Sequence, residues 1–278
     1  MMKVFIGVLT SMLLLAACGG GSTAPTKVPT AGGPIDATPV KTTDNLALPN
    51  NQGLASYNVL ILGNSHVQYI EPLLKSIFTK TNKTVNIETR TGAFLDAIVK
   101  NESIIELLES KQWSHVILQG QKYSQSQSVL YSTEATIVWI QRVKAIGATP
   151  ILFPEHPPEG KTQEAEYVHG IHQDIASMQL SCVAPVGLAW NKALSIEPNI
   201  VVYQADGNHA SELGASLSAF VLYETITGEP ADLLPFISGI VGDLNTQSMF
   251  KQVSSEVISS NPPCLFKGSK VEGLYSGS

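Results

Sequence analysis

The sequence predicts an α/β domain, a parallel sheet covered by helices on both faces, and three observations lead there. From Tyr57 onward, short apolar runs alternate with stretches of helical length and helical apolar spacing. The first run, Val59-Leu60-Ile61-Leu62, is apolar at every position, as a strand covered on both faces must be. The chain has 278 residues, 44% hydrophobic and 14% charged, which is enough apolar material for a substantial core.

Taken in order, the expected strands are 58–62, 84–89, 115–119, 149–153 and 181–184. Between them the expected helices are 71–80, 94–110, 130–146 and 162–178. Pro72 suits the first turn of its helix, and Leu73, Leu74, Ile77 and Phe78 then share one face. A later helix takes Ser211 as its N-cap and carries Leu213, Leu217, Phe220 and Val221 as its apolar stripe. It stops at Gly228, and Pro230 forbids continuation. In parallel sheets of this kind, chemistry gathers in the loops at the carboxyl ends of the strands. Ser65, Gly92, Gln119, the segment 154–160 and the segment 206–209 all fall in such loops, or in the last loop before a helix.

Before the domain, Lys3 is followed by the apolar run 4–15 and then Leu15-Ala16-Ala17-Cys18. The stretch is short for a bilayer span. It resembles a bacterial lipoprotein signal, with residues 1–17 removed and Cys18 lipid-modified; an ordinary secretory signal is the alternative. The resemblance implies a membrane partner through a lipid on Cys18. Gly19 carries no retention aspartate, which in a Gram-negative host favours the outer membrane or cell surface. Residues 18–55 are rich in Gly, Ser, Thr, Pro and Ala and read as a flexible tether, leaving 56–278 as the folded domain.

Net charge of −6, with no basic stripe, excludes a nucleic-acid partner. Cys182 and Cys264 either form a disulfide in an oxidising compartment or stay as two buried thiols. His169 and His172 could share a metal, but no third ligand is evident, and a solvated helix face is the simpler reading. Neither a Gly-x-Ser-x-Gly elbow nor a phosphate loop occurs, and no metal or organic cofactor is expected.

Two remote pieces carry the chemistry. Gly63-Asn64-Ser65-His66 follows the first strand, and Asp206-Gly207-Asn208-His209 precedes the helix opened by Ser211. A serine hydroxyl needs a base to take its proton, and an imidazole needs a carboxylate to fix its tautomer. An aspartate three residues before the histidine can reach back within one turn. In order and content the two blocks resemble the SGNH hydrolases, or GDSL superfamily, over Tyr57 to about Gly228.

That resemblance implies a flavodoxin-like three-layer α/β/α sandwich, with Ser65 as nucleophile, His209 as base and Asp206 as its orienting acid. It also implies an oxyanion hole from the Ser65 N–H, the Gly92 N–H and a third donor after the third strand. The family's Gly-x-Asn-Asp block is missing there. The chain reads Leu118-Gln119-Gly120-Gln121 instead, so Gln119 is the expected stand-in. His66 is expected to point away from the cleft. Segments 121–128, with Tyr123, and 154–158 could shape substrate choice or be plain solvated loop. The expected activity is extracytoplasmic hydrolysis of O-acyl esters, O-acetyl on a glycan foremost. The alternatives are a non-catalytic glycan-binding lipoprotein and an O-acyltransferase using the same residues.

Overall fold

The computed structural model describes residues 46–266, so the leader, Cys18 and the tether up to residue 45 lie outside the described residues. Five parallel strands form one sheet: β1 (Ser56–Leu62), β2 (Thr84–Arg90), β3 (His115–Gln119), β4 (Thr149–Phe153) and β5 (Cys182–Val183). Their order is β2-β1-β3-β4-β5, the flavodoxin-like order, with the switch point between β1 and β3. Every residue of β3 and β4 is buried, which accounts for their mostly apolar runs.

Among the described residues eight α-helices accompany the strands: α1 (Ile70–Phe78), α2 (Leu95–Ile98), α3 (Glu102–Glu109), α4 (Glu134–Ala145), α5 (Gln163–Met178), α6 (Val186–Ile196), α7 (Glu212–Thr227) and α8 (Leu244–Ser260). On one face α1, α6, α7 and α8 join Val59, Ile61, Ile117 and Ile151 in a single apolar core. Leu60, Leu62, Val116 and Leu118 alternate to the other face. There α4 packs on β3 and β4, and Trp139 Nε1 donates to Leu95 O to tie α4 to α2. The expected α/β/α sandwich is the fold found.

Several boundaries differ from expectation, each for a local reason. The helix expected over 94–110 is two helices, because the Asn101 side chain accepts the Ile104 N–H and restarts the chain as the cap of α3. The helix expected from 130 begins only at Glu134. Neither α6 nor α8 was expected. A signal for α8 is present in Asp243, whose side chain caps Thr246 N–H, and in Met249, Phe250, Val253 and Val257 at helical spacing.

The tether expected to run to residue 55 needs correcting at its end. Leu48 is buried, and Asn51 Nδ2 donates to Ser114 O and Gly147 O, both at 3.0 Å. Thr149 Oγ1 donates to Pro49 O at 2.7 Å, and Lys144 Nζ to Leu46 O at 2.9 Å. These bonds strap 46–51 onto the folded domain. At the other end Cys182 and Cys264 form a disulfide, and Val183 N–H donates to Pro263 O beside it. No helix among the described residues is long and apolar enough to cross a membrane.

Candidate active site

The carboxyl ends of β1 and β3 meet at the switch point, and the site is built there. Gly63 ends β1 against Gln119 so closely that a Cβ would lie 2.6 Å from Gln119 Oε1. The next amide, Asn64 N–H, donates to that same oxygen at 2.9 Å. Asn64 Oδ1 in turn accepts the His66 N–H at 3.0 Å and caps a short 3-10 turn, Ser65–Val67. Ser65 is therefore the first residue of a sharp turn. It is exposed, and its N–H has no partner among the described residues.

The second piece arrives from the loop before α7. Ser211 Oγ accepts the Gly214 N–H, and the Ser211 N–H donates to Val202 O, which fixes the helix start. A Cβ on Gly214 would lie 2.1 Å from Val202 O, so only glycine permits this approach. His209, two residues before Ser211, then faces Ser65: Oγ to Nε2 is 2.8 Å. His209 Nδ1 lies 2.5 Å from Asp206 Oδ2. Asp206 Oδ1 accepts the backbone N–H groups of Asn208 at 2.9 Å and His209 at 3.0 Å. The His209 side-chain bond, then those two amides, hold the Asp206 carboxyl far below the usual carboxylate range. An ionised Asp206 keeps the proton on Nδ1 and leaves Nε2 free to accept from the serine hydroxyl.

The structure thus brings Ser65, His209 and Asp206 together. It does not bring Gln119 to them as a donor. Gln119 is fully buried; its Oε1 holds Asn64 N–H and its Nε2 donates to Glu155 Oε2 at 2.8 Å. The expected oxyanion role for Gln119 is corrected accordingly: its amide braces the nucleophile turn from behind. Gly92 adopts φ +107°, a region that favours glycine, and its N–H has no partner among the described residues. The next amide, Ala93 N–H, donates to Gly63 O at 3.4 Å and keeps this loop against the nucleophile turn.

His66 also departs from expectation, because a 3-10 turn rotates successive residues by about 120° and not to opposite sides. It lines the cleft with Ser65, its ring stacked on His209 with centroids 5.2 Å apart and edge-on to His156 at 5.1 Å. Burial, then the positive charge available to His209, pushes His66 down to about 4. His156 Nε2–H donates to Asn208 O at 3.0 Å, and the ring stacks on Trp190 at 3.8 Å; burial pushes it down to about 3. A lone pair on the Asn208 carbonyl requires the Nε2–H tautomer of that neutral ring. His169 and His172 are buried on α5, not solvated, and no group of metal-ligating side chains occurs among the described residues.

Glu155, just past β4, has nothing in its sequence setting that marks it out from the rest of its loop. Its side chain is 15% exposed, and it also lies 3.9 Å from His66 Nε2. Burial pushes its carboxyl up to about 7, against the opposing hydrogen bonds from Tyr123 and Gln119. The cleft above these groups has a volume of about 820 Å³ and is walled by Phe94, Tyr123, Tyr131 and the polar segment 121–126. A larger groove of about 1310 Å³ between α5, α6 and α8 contains none of the three residues that meet at Ser65.

No protein-family profile matches the chain, and no curated protein does. Among solved structures, a DUF4886 family protein from Bacteroides uniformis is 14% identical, with a TM-score of 0.62 over 76% of this chain and 98% of its own. A protein of Slackia heliotrinireducens, provisionally assigned to the SGNH hydrolases, is 21% identical, with a TM-score of 0.48 over 61% of this chain and 98% of its own. A family 3 carbohydrate esterase from Clostridium thermocellum is 16% identical, with a TM-score of 0.47 over 61% and 94%. The DUF4886 family protein and this chain share a fold, here a five-stranded parallel sheet in the order β2-β1-β3-β4-β5 between helices. In the block after β3, where the sequence lacks the expected Gly-x-Asn-Asp, Gln119 is turned inward.

Proposed function

We propose that the protein is an exported serine esterase that removes short O-acyl groups, acetyl foremost, from a polar alcohol such as a carbohydrate. The observation carrying this reading is the line from Ser65 Oγ to His209 Nε2 at 2.8 Å and from His209 Nδ1 to Asp206 Oδ2 at 2.5 Å, with the hydroxyl open to the cleft. Ser65 Oγ attacks the ester carbonyl while its proton passes to His209 Nε2. The carbonyl oxygen becomes an oxyanion facing the free N–H groups of Ser65 and Gly92. His209 then returns the proton to the leaving alcohol, and water repeats the sequence on the acyl-enzyme.

Cleft composition supports the substrate class. Among the described residues no aliphatic side chain lines it, so a long acyl chain would find little apolar surface on which to be buried. Phe94, Tyr123 and Tyr131 offer ring faces, and Gln125, Ser124 and Ser126 offer polar groups, a combination suited to a sugar. For location, the Cys182–Cys264 disulfide suits an oxidising compartment. A lipid on Cys18 would hold the domain at the cell envelope, on the outer membrane or cell surface.

Turnover of p-nitrophenyl acetate, butyrate and octanoate by the purified protein tests the reading. Acetate should be the best substrate and octanoate the worst, and Ser65→Ala should lower kcat by at least about 1000-fold. A fluorophosphonate probe should label the wild type and not Ser65→Ala. Equal rates or equal labelling in the two proteins would sink the reading. Products formed with an acceptor sugar present separate hydrolysis from transfer.

A further inference from the structure

If Gln119 faces away, the oxyanion lacks the side-chain donor that the segment after β3 was expected to supply. We propose that the side-chain amide of Asn64 takes that place and is a further catalytic residue; this rests on the esterase reading above. The Asn64 backbone and side chain are separately committed. Its N–H is held by Gln119 Oε1, and its Oδ1 accepts the His66 N–H. The second bond fixes the amide flip, because only the oxygen can accept, so Nδ2 must lie on the other branch. That nitrogen has no partner among the described residues, although Asn64 is half-buried and lines the cleft beside Ser65.

Position follows from Gly120. The Cβ that Gly120 lacks would sit 3.7 Å from Asn64 Nδ2, and 3.4 Å from both Ala93 O and Phe94 Cα. The free amide therefore lies where the turn after β1, the loop after β2 and the turn after β3 converge. Gly92, with its free N–H, begins that middle segment. Gly120 adopts φ +99°, and the space left by its missing side chain is the space Asn64 Nδ2 borders. In the reaction, Ser65 Oγ bonds to the carbonyl carbon, the C=O π pair moves onto oxygen and the serine proton moves to His209. Asn64 Nδ2–H, Ser65 N–H and Gly92 N–H then donate to that oxygen.

Two substitutions separate this role from the capping role. Aspartate and serine both cap a helical turn about as well as asparagine, and neither carries an amide donor. In the full-length protein, Asn64→Asp and Asn64→Ser should each lower kcat and kcat/KM together by about 100-fold. KM should stay within about threefold of the wild type, and the thermal midpoint should not move. Affinity for an arylboronic acid, which adds to Ser65 Oγ as a tetrahedral anion, should fall by a similar factor in both. An Asn64→Ser protein with kcat within about threefold of the wild type overturns the proposal. So does a loss confined to Asn64→Asp, which would report charge repulsion and not a missing donor. If the wild type turns over ester, Ser65→Ala does not and Asn64→Ser is unimpaired, then the donor assignment alone is wrong; if the wild type and Ser65→Ala behave alike, the esterase reading itself has failed.

Discussion

Glu155 carries an awkward charge beside the cleft, and its consequences run against the usual behaviour of a carboxylate. An unfolded glutamate ionises near 4.5, whereas burial pushes the folded Glu155 up to about 7. Between those values the native protein holds a proton that the unfolded chain has released. Stability from this group is thus complete below about pH 4.5 and is lost as pH rises through 7. Glu155→Gln keeps an oxygen to accept Gln119 Nε2 and removes the charge. Its thermal midpoint should match the wild type near pH 5 and exceed it near pH 8.5, by up to about 3 kcal/mol in unfolding free energy; a midpoint difference independent of pH would refute this. The partnership of Ser65, Asp206 and His209 is legible from order and spacing, because a nucleophile after the first strand and an acid three residues before a base each occupy a recognisable turn. Gln119 is not legible in the same way. An amide serves as donor or acceptor according to its neighbours, and here those neighbours come from the β1 turn and the β4 loop.

At the scale of elements, α7 fixes where the base stands, and Gly214 fixes α7. Its missing Cβ admits Val202 O at 2.1 Å and Trp190 Cη2 at 2.5 Å from the position a methyl would occupy. The carbonyl belongs to backbone and cannot swing aside. Gly214→Ala should lower unfolding stability by about 3 kcal/mol in urea melts. It should also reduce kcat, because Ser211, the cap of α7, lies two residues from His209. Retention of both properties would show that the loop yields more easily than its contacts imply. The glycine and the serine cap are both visible in the sequence, and so is the end of α7 at Gly228. The break between α2 and α3 is hidden because apolar spacing runs on through 94–110, and only the side-chain cap of Asn101 reveals the restart. Helix α8 is announced by Asp243 and its apolar stripe, but Ser, Gln and Asn between those positions dilute the signal.

Across the whole molecule, five of the six histidines are held below their ordinary range. Burial pushes His66, His169 and His172 to about 4, and His115 and His156 to about 3. An unfolded histidine binds its proton near 6.5. Stability from these groups is therefore present above that pH and falls as pH drops through 4; near pH 5 unfolding takes up about four to five protons. Chemical denaturation between pH 7 and pH 4.5 should show this as a steep slope; a flat profile would mean that the rings are charged in place. Such burial is not legible in a sequence whose histidines are scattered over loops, strands and helices.

The bonds at Pro49 and Asn51 also settle a matter of direction. They engage Thr149, the first residue of β4, and Ser114, just before β3, whereas Ser65 lies beyond the last residue of β1. All strands run the same way, so residues 46–51 lie along one rim of the sheet and the cleft at Ser65 opens at the opposite rim, unobstructed by that strap.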